Sequence, residues 1–118
     1  MVRIERIARA AIEGDAIELR SLVQDFLRSN PRLADIPRPN VSDERTLTAS
    51  AGLIELFALR TNQEPPAWTK EIGALDKPVF LVKGALKMRR LRELCQTESP
   101  LPLRKRNLYA PPNYLEFA

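Results

Sequence analysis

Between Ser42 and Arg60 the chain carries more apolar surface than a helix wetted along one side can hide. Leu47, Ala49, Ala51, Leu53, Ile54, Leu56, Phe57 and Ala58 cover well over half the circumference of a helix in this segment. Only Arg45, Glu55 and Arg60 read as solvated. A helix apolar nearly all round is normally buried, so the rest of the chain is expected to pack around it. Ser42 reads as its N-cap, followed by Asp43 and Glu44 in the first turn, where negative charge suits the helix dipole.

Two amphipathic helices precede it. Ile4, Ile7, Ala8, Ala11 and Ile12 share one stripe, leaving Arg3, Glu5, Arg6, Arg9 and Glu13 to water. Gly14 can take the left-handed conformation that ends a helix. Asp15 can cap the next, and Glu18 completes a capping box. The second stripe is Leu19, Leu22, Val23, Phe26 and Leu27, and Asn30-Pro31 stops it. Ile36-Pro37-Arg38-Pro39-Asn40 cannot be helical, because each residue before a proline is pushed to extended geometry. Thr61 to Asp76 reads as irregular, with Glu64-Pro65-Pro66 fixing an extended approach to Trp68, a core anchor.

Pro78 to Val82 has strand composition without a second strong strand to pair with. It reads as an extended packing segment or as a small pairing with residues 107–110. A fourth helix is expected from about Ala85 to Gln96, with Met88, Leu91, Leu94 and Cys95 inward and Arg89, Arg90 and Glu93 outward. Lys87 and Arg92 flank the inward face. Pro100, Pro102, Pro111 and Pro112 then block a long helix, while Leu108, Tyr109, Tyr114, Leu115 and Phe117 need burial. Such a tail wraps over a surface, its own or a partner's. The expected fold is therefore all-α: one domain of 118 residues, with about four helices around a central third helix. Proline-rich extended connections join them, and residues 99–118 form an irregular tail.

The chain has no histidine, which removes His-based acid–base catalysis, Ser-His and Cys-His nucleophile pairs and histidine metal sites. One cysteine, Cys95, cannot build a zinc site or an internal disulfide. Its place on an apolar stripe reads as an inert buried thiol; a redox-sensitive role would need exposure. The four glycines are scattered, so no phosphate-cradling loop exists. Asp43, Glu44 and Glu55, or Glu13, Asp15 and Glu18, could meet in space, but caps and solvated faces explain them. No enzyme, cofactor or metal is expected. No apolar run is long enough for a membrane helix, and the charged N-terminus lacks a signal-peptide core, so the expected compartment is the cytoplasm.

Charge is concentrated instead. Residues 83 to 106 hold eight basic residues against Glu93 and Glu98, a net of +6 in a chain of net +4. One reading has Arg89, Arg90, Arg92, Arg104, Lys105 and Arg106 meeting an acidic protein surface, with Tyr109, Tyr114 and Phe117 filling apolar pockets. The alternative is a nucleic-acid interface, with the same cations on phosphates and Tyr109 or Tyr114 stacked on bases. A plain solvated surface is the third.

Several segments together resemble a group of short uncharacterised bacterial proteins. They are Pro65-Pro66-Ala67-Trp68-Thr69, Pro78-Val79-Phe80-Leu81-Val82, and the run from Ser99-Pro100 through Arg104-Lys105-Arg106-Asn107-Leu108-Tyr109 to Ala110-Pro111-Pro112-Asn113-Tyr114-Leu115. The similarity runs over most of the chain and is most specific at the two proline-rich segments. Members of that group are often encoded beside a nucleotidyltransferase-like protein of toxin–antitoxin type. The resemblance implies an antitoxin or accessory partner, and it carries over no catalytic residue.

Overall fold

Gly14 sets the first corner. In the computed structural model, which describes residues 2–116, helix α1 (Ile4–Glu13) ends where Gly14 takes a φ of 72°. The Gly14 N–H donates to Ala11 and the Asp15 N–H to Ala10, both at 3.1 Å, the paired bonds of a Schellman motif. Helix α2 (Ala16–Arg28) starts at once, with Asp15 Oδ1 accepting the Glu18 N–H at 3.1 Å. Only half of the expected capping box forms. The Asp15 N–H is already bound to Ala10, so the Glu18 carboxylate turns to Arg6, 3.7 Å away. Ile4, Ile7, Ala8 and Ala11 of α1 are buried with Leu19, Leu22, Val23 and Phe26 of α2. Both amphipathic stripes thus face inward.

Asn30 ends α2 with a φ of 49°. A 3₁₀ turn at Leu33–Asp35 follows, then the proline-rich loop. Two side chains hold this stretch: Gln63 Oε1 accepts the Leu33 N–H at 3.1 Å, and Trp68 Nε1 donates to the Ile36 carbonyl at 2.9 Å. Trp68 is half-buried against the core.

Helix α3 (Glu44–Thr61) is capped by Asp43 and not by Ser42. Asp43 reaches both the Arg45 N–H at 3.2 Å and the Thr46 hydroxyl at 2.5 Å, which a shorter serine side chain one residue earlier does not. The Thr46 hydroxyl holds the Asp43 carboxyl below its usual range. Thr46 and all residues from Thr48 to Ile54 are buried, as are Leu56, Phe57 and Ala58. Helix α3 touches α1, a one-turn helix α5 (Leu101–Arg104) and a 3₁₀ turn at Ala67–Glu71. Phe57 meets Phe26 with ring centroids 5.7 Å apart, joining α3 to α2. At Gly52 a Cβ would sit 3.0 Å from Leu103 Cδ2 and 3.3 Å from Leu108 Cδ1, so glycine lets the C-terminal segment approach α3 closely.

The segment expected to be irregular, Thr61 to Asp76, contains the turn Ala67–Glu71, closed by Thr69 Oγ1 donating to the Pro66 carbonyl at 2.9 Å. Val79–Phe80 (β1) pairs in parallel with Leu108–Tyr109 (β2), Val79 opposite Leu108. This is the small pairing that residues 107–110 offered. A 3₁₀ turn (Lys83–Leu86) precedes α4 (Arg89–Glu98), so the fourth helix begins four residues later than its apolar pattern predicts. Lys87 and Met88 N–H groups both bond to Gly84, tightening the chain before the helix starts. At the other end the Ser99 hydroxyl accepts the Ala110 N–H at 2.8 Å, tying the end of α4 to the residue after β2. The tail is less irregular than expected, since α5 turns despite Pro102, which sits at its second position, where no intrahelical N–H is required. Among the described residues the chain is mostly helical, with five α-helices and a radius of gyration of 13.1 Å.

Candidate functional site

The basic segment forms one continuous run of the chain: the Lys83–Leu86 turn, α4 and α5. Arg89, Arg90, Arg104 and Lys105 are exposed. Arg89 Nε lies 3.0 Å from Glu93 Oε1 along α4, and Arg104 Nη1 donates to the Thr97 carbonyl at 2.7 Å, linking α5 to α4. Arg92 is half-buried and donates to Leu86 at 3.4 Å. Met88 was expected inward, yet it is 59% exposed. It occupies the cap position ahead of α4 and so lies off the helical stripe, where its sulfur covers Gly84. Leu91 and Leu94 are half-buried, and Cys95 is fully buried, with its thiol pushed up by burial. Ile17, Leu59, Leu86, Met88 and Leu101 are the large apolar side chains left exposed among the described residues. Three of these five fall inside the basic segment.

The other expected contact residues lie elsewhere. Arg106 is 2% exposed and faces into its own chain. Its Nη1 and Nη2 donate to the two Glu55 carboxylate oxygens at 2.7 and 2.9 Å, and further to the Pro102 and Thr69 carbonyls. Lys105 Nζ adds a third contact to Glu55 at 2.9 Å. Glu55 is therefore not solvated, as its sequence position had suggested. Burial alone would raise its carboxyl, but hydrogen bonds from Arg106 and Lys105 outweigh that and hold it at about 2. A signal for this pair existed: a carboxylate flanked by Ile54, Leu56 and Phe57 on an apolar helix requires a cation. Which cation supplies it depends on the path of the tail, which no local pattern encodes.

Tyr114 is also turned inward, 7% exposed, and its hydroxyl has no hydrogen-bond partner among the described residues. Burial raises its phenol. Its carbonyl accepts from Arg60 Nη1 of α3, and Arg60 reaches Glu116 at 3.7 Å. Tyr109 is half-buried, its ring 5.4 Å from Phe80 across the two-stranded ladder. Phe117 lies outside the described residues. Arg106 and Tyr114 thus hold the tail to its own body, and the exposed side chains of the basic segment include Arg89, Arg90 and Arg104, Lys105 beside Glu55, and Leu86, Met88 and Leu101.

Two concavities occur among the described residues, one apart from these side chains and one that includes Lys105. The larger, about 660 Å³, lies among the start of α1, the end of α2 and the proline-rich loop. The smaller, about 300 Å³, adjoins Glu55, Lys70, Lys105 and Arg106. The larger is built from three separated stretches, so nothing in the local sequence announces it. No group of three or more His, Cys, Asp or Glu residues able to hold a metal occurs among the described residues, and none of their helices is long and apolar enough to cross a membrane. No family model matches this chain, and no curated protein or solved structure matches it either.

Proposed function

We propose that this protein is a non-catalytic interaction module that docks an acidic protein surface through residues 83–105. The observation that carries this reading is the coincidence of exposed Leu86, Met88 and Leu101 with a segment of strong positive charge. Cations at a rim speed encounter, while apolar side chains supply the contacts that slow dissociation. Phosphate backbones reward the cations alone, so the mixed composition favours a protein over a nucleic acid. In this reading the body gathers about α3, with proline-rich extended connections between its helices. The resemblance to proteins encoded beside nucleotidyltransferase-like partners makes that co-encoded product the first candidate, with this chain as its antitoxin or accessory subunit.

Coexpression with the neighbouring gene product tests the proposal. Copurification is expected, with Met88→Asp and Leu101→Asp speeding dissociation and Arg89→Glu with Arg90→Glu slowing association. Isolation of the tagged chain as a clean monomer from cells making both proteins overturns it. A mobility shift of DNA or RNA that fades steeply with salt supports the nucleic-acid alternative in its place.

A further inference from the structure

The 660 Å³ cleft beside the proline-rich loop has the size of a small-molecule site and a composition that selects one chemistry. Its apolar lining comes from Val2, Pro31 and Pro37, backed by the buried side chains of Ile4, Phe26 and Ile36. Three arginines, Arg3, Arg32 and Arg38, stand around it against two carboxylates, Glu5 and Asp35. None of the three is engaged at hydrogen-bond distance by an acid. Arg3 lies 3.9 Å from Glu5, Arg32 3.8 Å from Asp35, and Arg38 3.9 Å from Glu71 outside the cleft. Contacts of that length leave guanidinium N–H groups ready for a better acceptor.

One wall is also preorganised. Pro31, Pro37 and Pro39 restrict the loop, and bonds to Gln63 and Trp68 fix its position, so little ordering remains for a ligand to impose. We infer that this cleft binds a small amphipathic organic anion, with an aliphatic body against Val2, Pro31 and Pro37 and a terminal carboxylate on the Arg3, Arg32 and Arg38 side. The site is separate from the basic docking face and does not depend on it.

The chain carries a built-in reporter. Trp68 is its only tryptophan, and its indole N–H is bonded to Ile36, a cleft residue. Titration of the full chain with decanoate, below its micelle range, is therefore read by Trp68 emission, with decyltrimethylammonium as the cationic counterpart. Saturable binding of decanoate is expected, at least about tenfold tighter than the cation. The paired change Arg3→Gln and Arg38→Gln is expected to weaken it by about tenfold, while Arg89→Gln on the remote basic face leaves it unchanged. Amide NMR shifts centred on Ile4 and Ile36 are the second readout. No saturable response up to about 1 mM, an equal response to the cationic analogue, or equal loss on Arg89→Gln overturns the assignment.

Discussion

Glu55 and Arg106 form a buried ion pair whose parts are unequal in what their loss would do. Removing the arginine leaves a largely buried carboxylate with Lys105 as its remaining cation, and Arg106→Ala is expected to cost about 3 kcal/mol in urea unfolding. Acid tests the same pair with a definite sign. Unfolded, Glu55 takes its proton near 4.5; folded, near 2. Between those values the unfolded chain binds more protons, so the stabilisation is complete above pH 4.5 and is lost as pH falls towards 2. Glu55→Gln should flatten this acid limb relative to the parent, and unchanged urea midpoints between the two across that window would remove the assignment. Tyr114 offers the opposite case. Its buried hydroxyl lacks a partner among the described residues, so Tyr114→Phe should stabilise the protein by about 1 kcal/mol at neutral pH. Because burial disfavours the ionised phenol, the parent loses stability as pH climbs past the ordinary value of 10, where the unfolded chain ionises and the folded one resists, so the same variant should lack this alkaline limb. A melting temperature below the parent's would show the hydroxyl to be satisfied after all.

At the scale of single elements, local chemistry dominates at the corners. Gly14 holds a φ of 72°, and an added Cβ would also lie 2.8 Å from Lys83 Cγ, so Gly14→Ala should cost about 1–2 kcal/mol. Gly73 has nothing within 4 Å of where a Cβ would sit and no positive φ, so Gly73→Ala should be neutral or slightly stabilising, and thermal melts of the pair separate backbone demand from mere replacement. Such corners were legible in the sequence, because Gly14, Asp15 and Asn30-Pro31 act through neighbours only. The stripes of α1 and α2 were legible for the same reason. The start of α4 was not, since Lys87 and Met88 bond back to Gly84 and replace the first helical turn with a tighter one. Met88 consequently left the inward face assigned to it. Helix α4 is also the least anchored of the longer helices, with Cys95 its one fully buried residue. Its opening should therefore precede global unfolding. Thiol labelling of Cys95 under native conditions should report a smaller opening free energy than urea does, and equal values would show α4 to be part of the same cooperative unit.

Over the whole molecule, the tail is a structural element before it is anything else. Leu103, Leu108, Ala110, Tyr114 and Leu115 all belong to the core, and Gly52 is small so that Leu103 and Leu108 can reach α3. The sequence left two options open, a tail folded on its own chain or awaiting a second one, because apolar residues after prolines announce burial without naming the surface. Packing against α3 decides it for the described residues, through Arg106 on Glu55, Arg60 on the Tyr114 carbonyl, and the parallel ladder. A chain ending at Ser99 should therefore not fold. Each buried leucine is worth about 2 kcal/mol, so losing Leu103, Leu108 and Leu115 removes an amount comparable to the whole stability of a small domain. The truncation also leaves Glu55 without either cation. Circular dichroism and NMR of residues 1–99 should show a chain without cooperative melting or amide dispersion, and a peptide of residues 100–118 added in excess should restore both. A dispersed, cooperatively melting fragment would place the stabilising core elsewhere, and would return the C-terminal arm to the role of a segment free to grip another molecule.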